Sequence, residues 1–328
     1  MAETLRVLLV SDTHLGFDDP PTARVERRRR GPDFLRNFEL ALAPALRGEV
    51  DAVVHGGDLF YRSRIPPALV ERAFRPIAQV AAAGVPVFIV PGNHERSQIP
   101  YPLFAVHRGV FIFDRPRTFT VAGVAWSGFP FTREVRARFR DLLQATGHCR
   151  TGAAVRLLCI HHAVEGAKVG TPEFVFTNGP DVIRGRDLPA GFASVLSGHI
   201  HRGQRLWRGL DGSPLPAPVF YPGSVERTSF VERCETKGYL ILKIRSGDDG
   251  GRVDGFEFFP LPARPMFRIA VDGLGELRQR LAALPPDAVV RVETMAQLTT
   301  ALLREVAPPS MNIDLAGFMR GRTAARER

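Results

Sequence analysis

The sequence predicts a mixed α/β fold in two parts, and three patterns along the chain support this class. Up to residue 90, short apolar segments and amphipathic segments follow the order βαβαβ, which is typical of a parallel sheet. After residue 108 the apolar segments become denser, which predicts one large mixed sheet or two sheets packed as a sandwich, flanked by helices. The proline-rich stretch LPARP at 261–265 then precedes a small α/β unit.

Three strands and two helices account for the first pattern. The run LRVLLV at 5–10 is apolar without alternation, which is typical of a strand buried on both faces. The other two predicted strands are 51–55 and 85–90. The helices are predicted over 32–47, with Pro32 near the start, and over 66–83, with Gly84 just after the end.

The remaining segments are mostly short strands. One helix is predicted over 132–146. The strands are predicted at 110–113, 118–121, 123–127, 155–160, 192–197, 203–208, 218–221, 237–245 and 252–259. Helices near 274–283 and 294–306 alternate with the segments RIAVDG and VVRVE. We therefore expect one large domain over 1–262 and a small α/β domain over 263–328 that ends in a basic tail.

The composition is that of a globular chain with an excess of positive charge. Hydrophobic residues make up 45% and charged residues 24%, which excludes a wholly disordered chain. The sequence contains no run of about 18 apolar residues, which rules out a membrane-spanning helix. No signal-peptide pattern opens the chain, so we expect a cytoplasmic protein. The net charge of +10 favours a polyanionic partner. Because only three of the 44 basic residues are lysine, coding bias is the alternative origin of this charge.

Five short polar motifs each follow a predicted buried strand. They are Asp12-Thr13-His14, Gly57-Asp58, Gly92-Asn93-His94, His161-His162 and Gly198-His199-Ile200-His201. Because the carboxyl ends of strands line the ligand crevice of an open α/β sheet, we expect these motifs to converge. Either DxH or HxH alone is more often structural, but five such motifs in this order indicate one site. His55 lies inside a strand and is expected to be a packed core histidine.

The side chains in these motifs suit metal ions. In extended backbone, residues i and i+2 point the same way, so Asp12 and His14 could hold one ion, and His199 and His201 could face one site. Two carboxylates, one amide oxygen and four imidazoles favour Mn²⁺, Fe or Zn²⁺ over Mg²⁺ and Ca²⁺. Seven ligands in one crevice predict a two-metal site with one bridging carboxylate, which would clamp a phosphoryl group. The three cysteines are too few and too scattered for a zinc site or a disulfide framework.

This order of motifs resembles the calcineurin-like metallophosphoesterase superfamily and, within it, the SbcD-type DNA repair nucleases, which are related to the archaeal and eukaryotic meiotic recombination nuclease. The matching blocks are SDTHLGF at 11–17, GGDLFYRSRIPP at 56–67, VPVFIVPGNHE at 85–95, CIHH at 159–162, SGHIH at 197–201, and YPGSVERTSF at 221–230 followed by Lys237-Gly238-Tyr239. The last block favours the nucleases, because general phosphoesterases share only the metal motifs. The resemblance covers about residues 4–260 and implies a two-sheet sandwich flanked by helices, followed by a reduced capping domain.

The resemblance also implies a role for each motif residue. The first metal ion would be held by Asp12, His14 and His201, and the second by Asn93, His161 and His199, with Asp58 as the bridge. His94 would point away from the metal ions, contact the phosphate and assist the leaving 3′ oxygen. His94 and Asp58 are therefore the expected catalytic residues.

Substrate contacts are less sharply defined by the sequence. Tyr61 stands where the archaeal and eukaryotic branch has a histidine that orients DNA ends, which leaves exonuclease or endonuclease preference open. Arg62 and Arg64 are candidates for phosphate contacts. The run Arg27–Arg30 could contact phosphates or form a solvated loop.

Two apolar features have alternative interpretations. Trp126, Phe129 and Phe131 could stack on bases, although core packing is the plainer interpretation. One helix face, consisting of Leu69, Ala73, Ile77 and Val80, could form a dimer interface or serve the core of its own chain.

The predicted function is Mn²⁺-dependent DNA exonuclease or endonuclease activity by a two-metal mechanism, in double-strand-break repair. One alternative is a metallophosphoesterase that acts on nucleotides or small phosphodiesters, and another is a non-catalytic DNA-end-binding scaffold. The expected partners are DNA and a second copy of the chain. An SbcC-type ATPase is a further candidate, for which the 66 residues after 262 leave little chain.

Overall fold

The computed structural model describes residues 4–18, 29–99, 103–170, 173–247, 249–294, 296 and 298–317. The chain divides into two compact units. The large unit comprises Met1–Phe17 and Gly31–Ala263, and the small unit comprises Asp18–Arg30 and Arg264–Arg328. Among the described residues, no helix is both long and apolar enough to cross a membrane.

The described residues of the large unit form sixteen strands and four helices. The strands are β1 (Thr4–Val10), β2 (Ala52–His55), β3 (Val87–Ile89), β4 (Val110–Ile112), β5 (Arg117–Val121), β6 (Val124–Gly128), β7 (Val155–Ile160), β8 (Ala163–Val164), β9 (Lys168–Val169), β10 (Phe174–Val175), β11 (Val182–Ile183), β12 (Ser194–Ser197), β13 (Gln204–Arg208), β14 (Pro214–Tyr221), β15 (Gly238–Arg245) and β16 (Arg252–Pro260). The helices are α1 (Gly31–Leu46), α2 (Pro67–Ala82), α3 (Leu103–Val106) and α4 (Val135–Ala145). Short 3-10 helices occur at His148–Arg150, Gly185–Asp187 and Phe230–Glu232.

Two six-stranded sheets form the body of the large unit. The first has the order β16-β15-β1-β2-β3-β4, and the second has the order β13-β14-β12-β7-β6-β5. Strands β1 to β4 are parallel, as the βαβαβ pattern predicts, and β15 and β16 extend that sheet in antiparallel fashion. In the second sheet the four central strands are parallel, and the edge strands β5 and β13 are antiparallel.

The sheets pack face to face, with helices outside. Along β1, Val7 and Leu9 face the space between the sheets, where they join Trp126 and Phe220 of the second sheet. The alternate residues of β1, Leu8 and Val10, lie in the core beneath α1 and α2, and the outer face of the second sheet packs with α4. The expected two-sheet sandwich is thereby confirmed. Burial of both faces explains why β1 reads as a continuous apolar run.

Several apolar residues that were considered for base stacking or for a dimer interface are packed in this core. The rings of Phe88 and Trp126 stack at 4.2 Å between their centroids, and Trp126 and Phe129 are both fully buried. Both therefore pack in the core and are not placed to stack on bases. On α2, Ala73, Ile77 and Val80 are buried in the core of their own chain, and Leu69 packs against it.

The part of the small unit that the structure describes is a parallel sheet with two helices. Its strands are β17 (Met266–Ala270), β18 (Val289–Thr294) and β19 (Asn312–Gly317), and its helices are α5 (Leu274–Ala282) and α6 (Thr300–Val306). Strand β18 lies between the other two. One sheet face packs with the helices, while the other carries ion pairs between Arg268 and Glu293 (2.7 Å) and between Arg291 and Asp314 (2.6 Å). This pairing satisfies the charges on the face that the helices leave uncovered.

Candidate metal centre

The five predicted motifs meet at one edge of the sandwich. Asp12 and His14 follow β1, Asp58 follows β2, and Asn93 follows β3, all in the first sheet. The remaining candidate ligands, His161, His199 and His201, follow β7 and β12 of the second sheet. Two hydrogen bonds join the sheets here: Nδ1 of His161 donates to the carbonyl oxygen of Gly56 (2.8 Å), and the backbone N–H of His199 donates to Asp12 (3.1 Å). The site therefore belongs to both sheets.

The ligand loops have left-handed backbone. Asp12, His14, Asp58 and His199 have φ angles of 50°, 43°, 51° and 80°. The expectation of extended backbone at these motifs is therefore wrong: the chain turns sharply at each strand end. Such conformations cost about 1–3 kcal/mol each, so the surrounding structure must hold them. It does so by cross-loop hydrogen bonds, from Asp12 N to Gly57 O (2.9 Å) and from His14 N to Asp58 O (3.0 Å).

Asp12, His14 and His201 form the first ligand group. The Nε2 atoms of His14 and His201 lie 2.9 Å apart. The distance from His201 Nε2 to Oδ1 of Asp12 is 3.6 Å, and from His14 Nε2 to the same oxygen is 4.0 Å. Donor atoms from these three residues therefore converge on one point.

The second ligand group consists of Asn93, His161 and His199. The amide oxygen of Asn93 lies 3.1 Å from Nε2 of His161 and 3.0 Å from Nδ1 of His199. Oδ2 of Asp58 lies 3.3 Å from His161 Nε2 and 4.0 Å from His14 Nε2. Asp58 is therefore the carboxylate that both groups share. His199 and His201 lie in one site, as their spacing suggested, and belong to different groups within it.

The residues fit divalent metal ions. His161 donates its Nδ1 proton to a backbone carbonyl and His201 donates its Nδ1 proton to a carboxylate, so both Nε2 lone pairs are left to face the cluster. The carboxylates of Asp12 and Asp58 are almost completely buried, and buried carboxylates require compensating positive charge. Carboxylate, amide and imidazole donors together suit ions such as Mn²⁺.

Protonation in the cluster follows from burial and from the carboxylates. Burial opposes protonation of His161, but Asp58 and Asp12 outweigh it and raise the pKa of His161 to about 9. The histidines in turn hold the pKa of Asp58 below its usual range despite its burial. Burial lowers the pKa of His199 to about 3 and holds that of His14 well below its usual value. His14 and His199 are therefore neutral, whereas His161 would have to lose a proton to bind a metal ion.

Two glycines of the motifs allow this close packing. A Cβ atom at Gly92 would lie 2.1 Å from Oδ1 of Asp58, and one at Gly57 would lie 2.2 Å from Nδ1 of His161. Gly57 also has a φ of +112°. Only glycine lets the backbone approach these ligands so closely.

His94 lies at the rim of the cluster. Its Nδ1 donates to the backbone oxygen of Tyr61 (2.7 Å), its Nε2 lies 3.9 Å from Oδ2 of Asp58, and its side chain is 35% exposed. The ring centroid lies 4.7 Å from that of His14. The expectation that His94 points away from the metal ligands is therefore wrong, because the Tyr61 hydrogen bond turns Nε2 toward them.

Most of the residues considered for substrate contacts lie in the described part of the chain. The ring of Tyr61 lies 5.4 Å from that of His94, and the guanidinium of Arg62 lies 5.6 Å from the Tyr61 ring. Arg62 and Arg64 are both exposed. Of the run Arg27–Arg30, the first two residues lie outside the described part of the chain, Arg29 pairs with Asp18, and Arg30 is buried.

His162, His55 and Phe131 frame the site. His162 accepts a hydrogen bond at Nε2 from the backbone N–H of Thr132 (3.0 Å) and stacks on Phe131 at 5.1 Å, so His161 is the histidine of this pair that reaches the cluster. His55 is buried, as expected, with Nε2 bonded to the hydroxyl of Thr13 (3.1 Å). It therefore supports the loop between Asp12 and His14.

Four supporting residues, Glu232, Thr228, Lys237 and Glu95, were given no role by the sequence reasoning. Oε1 of Glu232 accepts from Nδ1 of His201 (3.1 Å) and from the hydroxyl of Thr228 (2.5 Å). The ammonium of Lys237, which is fully buried, donates to Oε2 of Glu232 (2.6 Å) and to the backbone oxygen of His201 (2.8 Å). Glu95 accepts from the backbone N–H of Phe60 (2.7 Å) and of Gly92 (2.7 Å), and so ties two ligand loops together. The signal for Thr228 and Lys237 was their place in the YPGSVERTSF and Lys-Gly-Tyr blocks.

A two-sheet sandwich with this ligand cluster at its carboxyl edge defines a metal-dependent phosphoesterase. The chain belongs to the calcineurin-like phosphoesterase family, whose model matches residues 5–203. The family and the enzyme class predicted from the motifs are therefore confirmed.

The chain is also similar to three archaeal proteins named DNA double-strand break repair protein Mre11. It is 28% identical to that of Aeropyrum pernix over 81% of this chain and 63% of the relative. The identity is 41% to that of Haloferax volcanii, over 88% of this chain and 60% of the relative. The chain is 26% identical to the protein of Thermoplasma acidophilum, over 84% of this chain and 71% of the relative. The chain thus spans less than two thirds of the length of the Aeropyrum and Haloferax relatives.

Proposed function

We propose that the chain is a DNA nuclease of double-strand-break repair that hydrolyses phosphodiester bonds with two divalent metal ions, Mn²⁺ being the preferred ion. The observation that carries this proposal is the pair of ligand groups joined through Asp58, whose Oδ2 lies 3.3 Å from His161 Nε2 and 4.0 Å from His14 Nε2. The names of the similar archaeal proteins support DNA as the substrate.

Each ligand group would hold one ion. Asp12, His14 and His201 hold the first, Asn93, His161 and His199 hold the second, and Asp58 serves both. Bound there, the ions supply Lewis-acid stabilisation to the oxygens of a phosphoryl group. The protein holds the donors in place through the Gly56 and Glu232 contacts, so little rearrangement is needed when substrate arrives.

His94 would act on the leaving group. Its Nδ1 proton is held by the Tyr61 carbonyl, so Nε2 is the atom that faces the rim of the cluster. When protonated at Nε2, the imidazole can donate to a phosphate oxygen and pass its proton to the departing 3′ oxygen. Exposed Arg62 and Arg64 lie close in sequence to the same rim and would contact neighbouring phosphates.

The test is a substrate panel in Mn²⁺. Labelled duplex DNA, single-stranded DNA and a chromogenic phosphodiester are incubated with wild type, Asp58→Asn, His94→Ala and the control Asp114→Asn, which removes an exposed carboxylate. We expect wild type and the control to cut DNA, and His94→Ala to lose about 10²–10⁴-fold in kcat while it still binds Mn²⁺. Cleavage of the small ester alone would contradict the nuclease proposal, and DNA binding without cleavage by wild type would favour the scaffold alternative.

We further propose the assembly that the family resemblance implies: a homodimer, a reduced capping domain in the small unit, and an SbcC-type ATPase partner. The α2 face considered for the dimer is buried in its own core, so a dimer would use another surface. Light scattering at micromolar concentration tests the dimer, and a monomer there would contradict it.

A further inference from the structure

One edge strand of the second sheet exposes an arginine and a tryptophan side by side. β13 ends the strand order of that sheet, so one of its sides has no paired strand in the described ranges. Trp207 is 45% exposed and Arg205 is exposed. The other of the two tryptophans, Trp126, is buried between the sheets. Trp207 is therefore the tryptophan that solvent and ligands can reach.

These two side chains belong to one continuous aromatic and cationic patch. The guanidinium of Arg205 lies 4.8 Å from the ring centroid of Phe256. The Phe256 ring lies 5.3 Å from that of Phe220, which lies 5.6 Å from that of Trp207. Phe220 is fully buried and Phe256 is half-buried. We name Arg205, Trp207 and Phe256 the Trp207 surface, with Phe220 as its buried base.

The alternation of β13 produces this surface. Arg205 lies opposite Phe220 in the ladder with β14. Leu206, which separates Arg205 from Trp207 in the sequence, is buried on the other face of the strand. The ladder is irregular between Leu206 and Arg208. The contacts of Arg205 with the Phe256 ring and of Trp207 with the Phe220 ring show that the two side chains share a face despite this irregularity.

A cleft of about 510 Å³ lies between the chain segment that follows His201 and strand β16. Arg202, which directly follows the ligand His201, lines the cleft together with Gly203 and Phe258. A Cβ atom at Gly203 would lie 3.1 Å from Cε2 of Phe258, so that ring packs close to the backbone there. Phe258 is two residues from Phe256 on β16 and shares its face. The lining thus includes the residue next to His201 and a ring that lies on the same face of β16 as Phe256.

The charges along this path are balanced or positive. Glu173 in the cleft is paired with Arg202 (2.7 Å) and with Lys168 (3.0 Å). Glu235 is paired with the buried ammonium of Lys237 (2.8 Å). Arg205 contacts a ring and adds positive charge at the far end. A polyanion would therefore meet no unpaired carboxylate from these two residues.

We propose that the Trp207 surface binds an unpaired nucleic-acid strand that enters or leaves the metal centre through this cleft. An exposed ring beside a guanidinium provides a stacking platform for a base and a contact for the adjacent phosphate, and neither requires a particular sequence. A duplex cannot use the ring in this way, because its bases are already stacked on one another. The inference rests on the proposed nuclease function, because it assigns the path of that substrate.

Trp207 makes the test direct. Metal-free protein in EDTA, which prevents cleavage, is titrated with oligothymidylate while tryptophan emission is recorded. We expect quenching in wild type and none in Trp207→Phe, where the buried Trp126 is the remaining emitter. By anisotropy of a labelled oligothymidylate, Trp207→Ala should bind about tenfold more weakly, within the range for loss of one base–aromatic stack.

A charge variant tests the phosphate contact separately. Arg205→Gln should make the slope of log K against log salt less negative by about 0.7, the value for one phosphate contact on a single strand. The control Arg75→Gln removes an arginine that is 67% exposed on α2, and it should leave the slope unchanged. A blunt-ended duplex, which has no single-stranded overhang, should quench the emission of Trp207 much less than oligothymidylate does.

The outcomes separate this inference from the proposed function. Cleavage of duplex DNA and of a chromogenic phosphodiester in Mn²⁺ is measured in parallel, and Trp207→Ala should leave cleavage of the small ester unchanged. Absence of quenching, or equal oligothymidylate affinity of wild type and Trp207→Ala, overturns the Trp207 surface even if duplex cleavage is normal. Quenching with no cleavage of any substrate contradicts the proposed function and leaves the surface standing. Unchanged Mn²⁺ binding by Trp207→Ala verifies its fold.

Discussion

Nδ1 of His201 lies 3.1 Å from Oε1 of Glu232, a residue 31 positions further along the chain. This contact decides which nitrogen of His201 faces the ligand cluster. Thr228 and Lys237 hold the Glu232 carboxylate from both sides, at 2.5 Å and 2.6 Å. Ligating histidines are commonly supported by a carboxylate in this way, which fixes the ring and raises the basicity of the donor nitrogen.

Removal of the Glu232 charge should therefore weaken metal binding. In Glu232→Gln the side chain can still accept from His201, but the carboxylate charge that strengthens Nε2 is lost. We expect Mn²⁺ affinity to fall by about tenfold or more, the range found for such supporting groups. Calorimetric titration of metal-free protein with Mn²⁺ measures this directly.

The matched control is Glu235→Gln. Glu235 also pairs with Lys237 (2.8 Å), but no hydrogen bond is recorded between its carboxylate and His201 in the described structure. Its replacement by Gln likewise removes a carboxylate charge that pairs with Lys237, and it should lower Mn²⁺ affinity much less than Glu232→Gln does. Equal losses in both variants would mean that the lysine network, and not the His201 contact, is responsible.

Metal binding should release protons, with a predictable pH dependence. Asp58 and Asp12 raise the pKa of His161 to about 9, so the metal-free protein holds this proton throughout the neutral range. A raised pKa means that the proton is bound below pH 9 and must leave when the nitrogen binds a cation. Mn²⁺ affinity should therefore rise with pH up to about 9 and then level off.

Calorimetry in buffers of different ionisation enthalpy counts these protons. Because Glu232 outweighs burial and raises the pKa of His201 as well, we expect release of at least one proton at pH 7 and much less release at pH 9.5. Proton release that does not differ between these two pH values would contradict the assignment of His161 as a ligand that is protonated in the metal-free protein.

Gly92 should tolerate no side chain. A Cβ atom there would lie 2.1 Å from Oδ1 of Asp58, so Gly92→Ala must displace either the shared carboxylate or its loop. Overpacking of this kind costs about 1–3 kcal/mol, and we expect both a lower free energy of unfolding in urea and weaker Mn²⁺ binding. Gly152→Ala is the control, because a Cβ there has nothing within 4 Å. Wild-type Mn²⁺ affinity in Gly92→Ala would show that the close approach is unimportant.

Much of the fold could be predicted because local pattern and burial agree. The apolar runs of β1, β2 and β3 and the periodicity of α1 and α2 are consequences of burial on both sides of each strand and one side of each helix. β14 was predicted only from residue 218, whereas the strand begins at Pro214 and also contains Pro216, although prolines are uncommon inside sheets. Those prolines are tolerated since β12 pairs only with Val219 and Phe220, further along β14.

The sequence predicted which residues would lie together at the candidate site, but it did not predict their geometry. The seven candidate ligands all carry oxygen or nitrogen donors and all follow the ends of strands, so their convergence follows from topology. The left-handed conformations of Asp12 and His199 do not follow from a two-residue spacing, because that spacing assumes a strand that has already ended. The contact from His201 to Glu232 crosses 31 residues, and no local pattern encodes such a distance.

The central claim is that Asp58 joins two ligand groups into one two-ion centre. Titration of metal-free protein with Mn²⁺, followed by electron paramagnetic resonance, counts the ions and reports whether they are coupled. We predict two tightly bound, coupled ions per chain in wild type and loss of the coupled signal in Asp58→Asn. A single ion per chain in wild type, or two ions bound by Asp58→Asn with unchanged affinity, would contradict the claim.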